Sequence, residues 1–196
     1  MPLASFVALR GHCASCKAPI SWQYPLVEAA SALTVGVVTW IWGPTVHALV
    51  WLCFLLVSLT LCVSDIRWLL LPDRLTLALV WFGLMANSFQ VWVPLTSAVW
   101  GAAVGYVLLW SVNALYWVLR RRDGMGGGDQ KLFAALGACF GLDSLWPTLL
   151  LASFSGAIAA LMYRAIKGRV PVVIFGPWLL AAALAWQWLA PWLVLF

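Results

Sequence analysis

The sequence has few charged residues and a large excess of apolar ones. Only 9% of its 196 residues are Asp, Glu, Lys or Arg, against about 25% in soluble domains. By contrast, 65% are hydrophobic, and the mean hydropathy is +0.99. A soluble domain of this length could not hide so much apolar surface from water, so a soluble globular fold is excluded. The 15 tryptophans agree with a membrane protein, because indole rings favour the membrane interface.

Several kinds of segment are absent from the sequence, and their absence limits how the chain can be organised. The first 25 residues contain Arg10 and Lys17 and no continuous apolar run, so no cleavable signal peptide is predicted. Low-complexity tracts, a separate soluble domain and a convincing internal repeat are not apparent either. We therefore predict a cytoplasmic N-terminal segment over residues 1–25 and a transmembrane domain over residues 26–196.

The apolar runs predict an all-α, polytopic membrane bundle of about seven transmembrane helices. About 20 apolar residues are needed to cross a hydrocarbon core of roughly 30 Å. Runs close to that length cover residues 26–43, 45–65, 75–93, 96–119, 144–164 and 172–195. A shorter run over 131–142 follows a glycine cluster and makes a seventh helix if its neighbours bury it.

The basic residues predict how these spans are oriented. Cytoplasmic loops of membrane proteins collect Lys and Arg. If the N-terminus is cytoplasmic, all 11 basic residues fall on that side, and the loops near Pro44, Pro94 and Asp143 carry none. We expect the C-terminus to be external. The net charge of +5 then reflects orientation in the membrane and not nucleic-acid binding.

Two carboxylates stand out, because charge near a membrane core is costly. Asp65 ends the second span, and Asp129 follows the glycines at positions 124, 126, 127 and 128. These glycines, Gly124, Gly126, Gly127 and Gly128, are expected to allow positive φ and close approach of the backbone to other groups. The predicted topology brings both carboxylates to the cytoplasmic boundary, where they could meet.

Two neighbouring carboxylates in a partly dry cleft share one proton, so that one can act as a base and the other as an acid. Such a pair can activate water to hydrolyse a peptide without a covalent intermediate. Spacing and chemistry leave a structural alternative open, in which Asp65 pairs with Arg67 or Arg74 and Asp129 caps the next helix. Lys131 either orients the approach of Asp129 or lies among lipid phosphates.

A Cys-x-x-Cys pair, Cys13 and Cys16, occurs in the N-terminal segment. This spacing favours a metal site over ordinary reduced thiols, but a closed tetrahedral zinc site needs four ligands. The other three cysteines are expected to pack as small apolar residues.

Four motifs in order resemble the bacterial type IV prepilin peptidases, which are GxGD membrane aspartic proteases. They begin at Leu9-Arg10-Gly11-His12-Cys13 and continue with Asp65-Ile66-Arg67 through Pro72-Asp73-Arg74. The segment from Gly124 through Asp129 to Leu132 resembles the GxGD signature, and Phe175-Gly176-Pro177 with the preceding Val173-Ile174 resembles a late family motif. Relative to typical members, the sequence is expected to lack an N-terminal span and the first Cys-x-x-Cys pair.

The resemblance implies a multi-pass enzyme of the bacterial inner membrane that cuts the basic leader from prepilins or pseudopilins on the cytoplasmic side. Asp65 and Asp129 match the catalytic aspartates, and the four glycines and Lys131 would support the loop and substrate. The peptidase reaction would need no cofactor. The resemblance implies two further features only if the cysteine-bearing loop still functions. These are zinc at Cys13 and Cys16, and N-methylation with S-adenosylmethionine as donor. Membrane lipid is the other expected partner, and the sequence does not indicate an oligomeric state.

Two other classes of protein remain as alternatives. A proton- or cation-coupled transporter component would also place carboxylates in the membrane, but the paired inverted repeat is missing. An inactive pilus-assembly partner would keep the fold without the chemistry, although both aspartates are present.

Overall fold

A computed structural model describes residues 2–122, 124–168 and 174–193. Across these residues the secondary structure is helical, apart from an isolated β-bridge between His12 and Pro19. The helices are α1 (Pro2–Ala8), α2 (Gln23–Trp42), α3 (Val46–Trp68), α4 (Asp73–Ser88), α5 (Leu95–Arg120), α6 (Gly127–Phe140), α7 (Leu145–Lys167) and α8 (Gly176–Leu193), with a 3₁₀ turn at Leu142–Ser144. The all-α prediction is confirmed.

Four of these helices are long and apolar enough to cross a membrane: α2, α3, α5 and α7. The predicted span at 75–93 is shorter than expected, because α4 ends at Ser88 and the chain turns before α5 begins. Helix α6 has 14 residues. The predicted first and last residues of the final span, 172 and 195, lie outside the described residues, as do Val173 and its place in the late motif.

The chain divides into two compact units, Met1–Leu59 and Thr60–Phe196. In the first unit, α1 contacts α2, and the Phe6 ring meets Trp22 edge-on with 5.1 Å between ring centroids. Gly43 ends α2 with φ +63°, which favours glycine. Across this turn Trp42, at the end of α2, stacks on Trp51 of α3. The Trp51 indole N–H donates to His47 Nε2 at 3.0 Å.

The second unit is built around α6. Helix α6 contacts α4, α5, α7 and α8, and all its residues from Leu132 to Phe140 are buried. A helix that is apolar on every face needs neighbours on every side. This packing explains how a run too short for a typical span forms a stable helix.

Glycines allow α4 and α5 to approach α6 closely. A Cβ atom on Gly101 of α5 would collide with the backbone oxygen of Gly137 of α6, and a Cβ on Gly137 would collide with that of Gly101. Gly83 of α4 likewise leaves no room for a side chain against the backbone of Cys139. Backbones can approach so closely only where both residues are small.

The C-terminal end of α6 is held by a buried amide. Asn87, near the end of α4, is fully buried and donates its Nδ2 hydrogens to the carbonyl oxygens of Ala138 and Cys139 at 2.9 and 2.8 Å. Its Oδ1 accepts the N–H groups of Trp92 and Val93. One side chain therefore satisfies the end of α6 and also fixes the turn between α4 and α5.

Candidate active site

A cleft of about 920 Å³ opens within the second unit. Five parts of the chain line it: the end of α3, one face of α5, the glycine loop, the first turn of α6 and the two residues before α8. The polar groups in this lining include Asp65, Asn113, Asp129, Gln130 and Lys131. The two aspartates singled out in the sequence thus line one cavity.

Asp65 lies close to the C-terminal end of α3, and only 6% of its surface is exposed. Its Oδ2 accepts the backbone N–H of Gly176, the first residue of α8, at 3.1 Å. A Cβ atom at position 176 would lie 2.5 Å from the same oxygen. Glycine is therefore required for this contact, which aims the positive end of the α8 dipole at the carboxylate.

The structure does not support the ion pair that was the alternative role for Asp65. Within the described ranges Asp65 forms no ion pair with Arg67 or Arg74. The Arg67 guanidinium instead lies over the Trp68 ring, 5.2 Å from its centroid. The Asp65 carboxylate is thus held by a backbone donor and faces the cleft.

Asp129 is the third residue of α6 and is half-buried. Burial, and secondarily the negative charge of Asp65, raises the pKa of Asp129 to about 7. The first residues of α6 carry no side-chain capping bond, since Gly126 occupies the N-cap position. Below a pH of about 7 Asp129 is therefore mostly protonated beside the Asp65 carboxyl group.

Two of the four glycines before Asp129 allow a close approach of the backbone to other groups. None of Gly124, Gly126, Gly127 and Gly128 has a positive φ, so that part of the sequence-based expectation is wrong. A Cβ on Gly124 would lie 2.7 Å from the Tyr116 ring, and one on Gly128 would lie 2.7 Å from Leu71 Cβ. Gly127 has open space around it. The two crowded glycines let the loop press against α5 and against the connection that precedes α4.

Lys131 pairs with Asp73, whose carboxylate lies 2.6 Å from its ammonium group. Asp73 is the first residue of α4, so the pair joins the start of α4 to the start of α6. Both side chains are partly exposed, at 28% and 61%, and the pair therefore contributes little to stability. Its effect is on the position of Lys131, which also lines the cleft.

Sequence reasoning missed several residues that build the cleft. Asn113 of α5 accepts the N–H groups of Gly124 and Met125 at 3.0 and 3.1 Å. Leu71 lies against both Gly128 and Gly176, which begin the two helices next to the carboxylates. Asn113, Tyr106 and Trp110 have the spacing of one helix face, but this pattern alone is common in membrane helices.

The Cys13 and Cys16 pair belongs to the first unit. Backbone N–H groups of Cys16 and Ser15, with a smaller contribution from the Cys16 side chain, lower the pKa of the Cys13 thiol. A thiolate is the form that a metal binds. In the described part of the chain, however, no three His, Cys, Asp or Glu side chains come together in a metal-ligand group. His12 Nδ1 bonds to the carbonyl oxygen of Arg10 at 2.9 Å. These residues do not by themselves complete a tetrahedral zinc site.

An all-helical architecture with four apolar helices of spanning length, and with two carboxylates in one cleft, defines a polytopic membrane protein with a candidate aspartic site. Family profiles identify it further. The profile of the type IV leader peptidase family matches residues 49–161, and that of the bacterial peptidase A24 N-terminal domain matches residues 1–42. The chain belongs to the type IV leader peptidase family.

Individual relatives agree with this assignment. The chain is similar to prepilin leader peptidase/N-methyltransferases of Pseudomonas putida (44% identity, covering 93% of this chain and 64% of the relative) and Stutzerimonas stutzeri (44%, 95% and 66%). It is similar to that of Neisseria gonorrhoeae at 43% identity, covering 90% of this chain and 61% of the relative. The chain thus spans just under two thirds of the length of these relatives. No solved structure matches it significantly.

Proposed function

We propose that the chain is a membrane aspartic endopeptidase that removes the basic leader of type IV prepilins or pseudopilins on the cytoplasmic side, with Asp65 and Asp129 as the catalytic residues. The observation that carries the proposal is the convergence of these two carboxylates on one cleft. Membership of the leader peptidase family supports the substrate class.

The surroundings of Asp65 and Asp129 differ, and they suggest a different role for each carboxyl group. With a pKa of about 7, Asp129 can hold the shared proton near neutral pH. Asp65 accepts an N–H at Oδ2 and leaves Oδ1 for water. In the forward step Asp65 takes a proton from water, the hydroxide oxygen adds to the scissile carbonyl carbon, and Asp129 gives its proton to the carbonyl oxygen.

The resulting tetrahedral diol then collapses. Asp65 passes the proton that it took from water to the leaving nitrogen as the C–N bond breaks, and Asp129 regains its proton from the hydroxyl that becomes part of the new carboxyl group. Both carboxyl groups return to their starting states. No covalent acyl-enzyme forms and no metal is required.

The names of the relatives give a second activity, that of an N-methyltransferase. N-methylation takes its methyl group from a donor such as S-adenosylmethionine. We assign no described residue of this chain to that donor or to methyl transfer. Zinc at Cys13 and Cys16 is likewise left out of the reaction, because the ligand set among the described residues is incomplete.

We also infer an inner-membrane arrangement of seven spans, α2 to α8, with residues 1–25 cytoplasmic, a peptidase domain over 26–196 and an external C-terminus. The one-sided distribution of Lys and Arg supports this orientation. Helices α4, α6 and α8 would supply short or less apolar spans, the one in α6 beginning at Lys131, after Asp129. The burial of α6 supports a short span that avoids lipid. Reporter fusions at Arg121 should be cytoplasmic and those at Pro94 external.

The test is cleavage of a purified prepilin by the wild-type chain and by Asp65→Asn and Asp129→Asn. Asn keeps the shape of Asp but cannot share the proton, so either variant should lose cleavage while still inserting into the membrane. Mass spectrometry of the product identifies the scissile bond and any added methyl group. Cleavage near the wild-type rate by either variant would refute the assignment of the catalytic pair. No cleavage by the wild-type chain would instead favour a transporter component or an inactive assembly partner.

A further inference from the structure

Helix α5 holds the glycine loop through a single amide oxygen. Asn113 Oδ1 accepts two successive backbone N–H groups, those of Gly124 and Met125. The side chain is half-buried and lines the cleft. About two turns of helix, from Asn113 to the end of α5 at Arg120, and the start of the loop separate it from the two donors.

This anchor matters because two of the six residues between Arg120 and Gly127 are glycine, and glycine restricts the backbone less than any other residue. A second contact with the same helix comes from Gly124, which lies against the Tyr116 ring. Together these contacts fix where the loop leaves α5 and hence where α6 and Asp129 begin.

We propose that Asn113 is a positioning residue for the peptidase, which holds the glycine loop on α5 so that Asp129 faces Asp65 across the cleft. This inference rests on the proposed function. It also explains the amide at this position. An aliphatic side chain could not accept the two N–H groups, whereas a carboxylate could accept them but would add negative charge beside the catalytic pair.

The charges around Asp129 determine what a carboxylate at position 113 would do. The charged or titratable groups that line the cleft are Asp65 from α3, Lys131 from α6 and Tyr106 from α5, with Lys131 already paired to Asp73 of α4. The residues before α8, Ile174 and Phe175, bring no charge. An additional carboxylate would therefore disfavour ionisation of Asp129, since two N–H donors would keep the new group ionised.

The experiment compares Asn113→Ala and Asn113→Asp with the matched control Ser111→Ala in cleavage of a purified prepilin. Ser111 is exposed on the same helix, and its hydroxyl bonds only locally, to the Leu108 carbonyl oxygen. Asn113→Ala should lower kcat by about 10- to 100-fold with a smaller change in KM, because a displacement of about 1 Å at a catalytic group costs that much. Asn113→Asp should keep the loop in place and move the alkaline limb of the pH profile up by about half a pH unit.

Limited trypsin digestion in detergent tests the anchor without using activity. Arg120, Arg121 and Arg122 precede the loop glycines, and cleavage after Lys167 at the end of α7 serves as the internal reference. Asn113→Ala should speed cleavage at the three arginines several-fold relative to Lys167, while Asn113→Asp and Ser111→Ala should not.

The outcomes separate the two proposals. If the wild-type chain does not cleave prepilin, the proposed function fails, and the trypsin result still decides whether Asn113 holds the loop. If the wild-type chain cleaves, two results would overturn the positioning role: unchanged kcat and trypsin sensitivity in Asn113→Ala, or an Asn113→Asp pH profile superimposable on that of the wild type.

Discussion

Replacing Gly128 by Ala should damage catalysis more than folding. Gly128 immediately precedes Asp129 and lies against Leu71, and a Cβ atom added to it would be 2.7 Å from Leu71 Cβ. Carbon atoms normally meet at about 3.5–4.0 Å. The start of α6 or the connection carrying Leu71 must therefore move by roughly 1 Å.

The effects on stability partly cancel. Overpacking costs about 1–3 kcal/mol, whereas Ala in place of Gly favours a helix by up to about 1 kcal/mol. We therefore expect a net loss of about 0–3 kcal/mol of stability. The same displacement at Asp129 should lower kcat by about 10- to 100-fold.

The assay is prepilin cleavage under saturating substrate, with a thermal melt of the same detergent-solubilised samples. Gly156→Ala is the matched control, because it lies buried within α7 and an added Cβ would meet the Trp178 ring at an ordinary 3.6 Å. Gly127→Ala, which meets open space, should lose less activity than Gly128→Ala. A Gly128→Ala enzyme with wild-type kcat would show that the contact with Leu71 does not set the position of Asp129.

Three further predictions concern the pKa of the dyad, the buried amide and the cysteine pair. Because the pKa of Asp129 is raised to about 7, its protonated form is lost as pH rises through that value, and kcat should fall on the alkaline side of neutrality; a rate unchanged to pH 9 would contradict this role as acid. Asn87→Ala leaves four backbone groups without their side-chain partner and should lower the free energy of unfolding by about 3 kcal/mol or more. The control Ser88→Ala removes a hydroxyl that bonds only to the preceding turn and should change the melting temperature little. Equal melting temperatures for the two variants would disprove that Asn87 holds α6 and the turn after α4 together. Cys13→Ser with Cys16→Ser, or a chelator, should leave cleavage nearly unchanged, and loss of cleavage would instead reveal a structural metal.

The sequence predicted the helices more accurately than their ends. Apolar runs located α2 through α8, because hydropathy reports which residues avoid water. The run at 75–93 continued past the real end of α4, since Trp92 and Val93 are apolar although they lie in a turn fixed by Asn87. Composition cannot show that a single amide will satisfy two distant carbonyl groups and two nearby N–H groups.

In the candidate site, too, the sequence predicted some features and missed others. Asp65 and Asp129 could be found because carboxylates are rare in an apolar chain and the motifs around them resemble a family. The bond from Gly176 to Asp65 joins residues on α8 and α3 and has no local signature. Positive φ was expected of the loop glycines because that is a common use of glycine, but contacts with Tyr116 and Leu71 explain two of them.

The short length of α6 has a consequence for how water would reach the proposed site. At 14 residues the helix is about 21 Å long, well under the roughly 30 Å hydrocarbon core, while α5 and α7 beside it have 26 and 23 residues. A 14-residue helix packed against longer ones cannot extend as far as they do at both ends, and Asp129 lies at one of its ends, in the lining of the cleft. In the proposed peptidase, water would therefore reach the scissile bond from one end of α6, without a pore that would let ions leak across the bilayer.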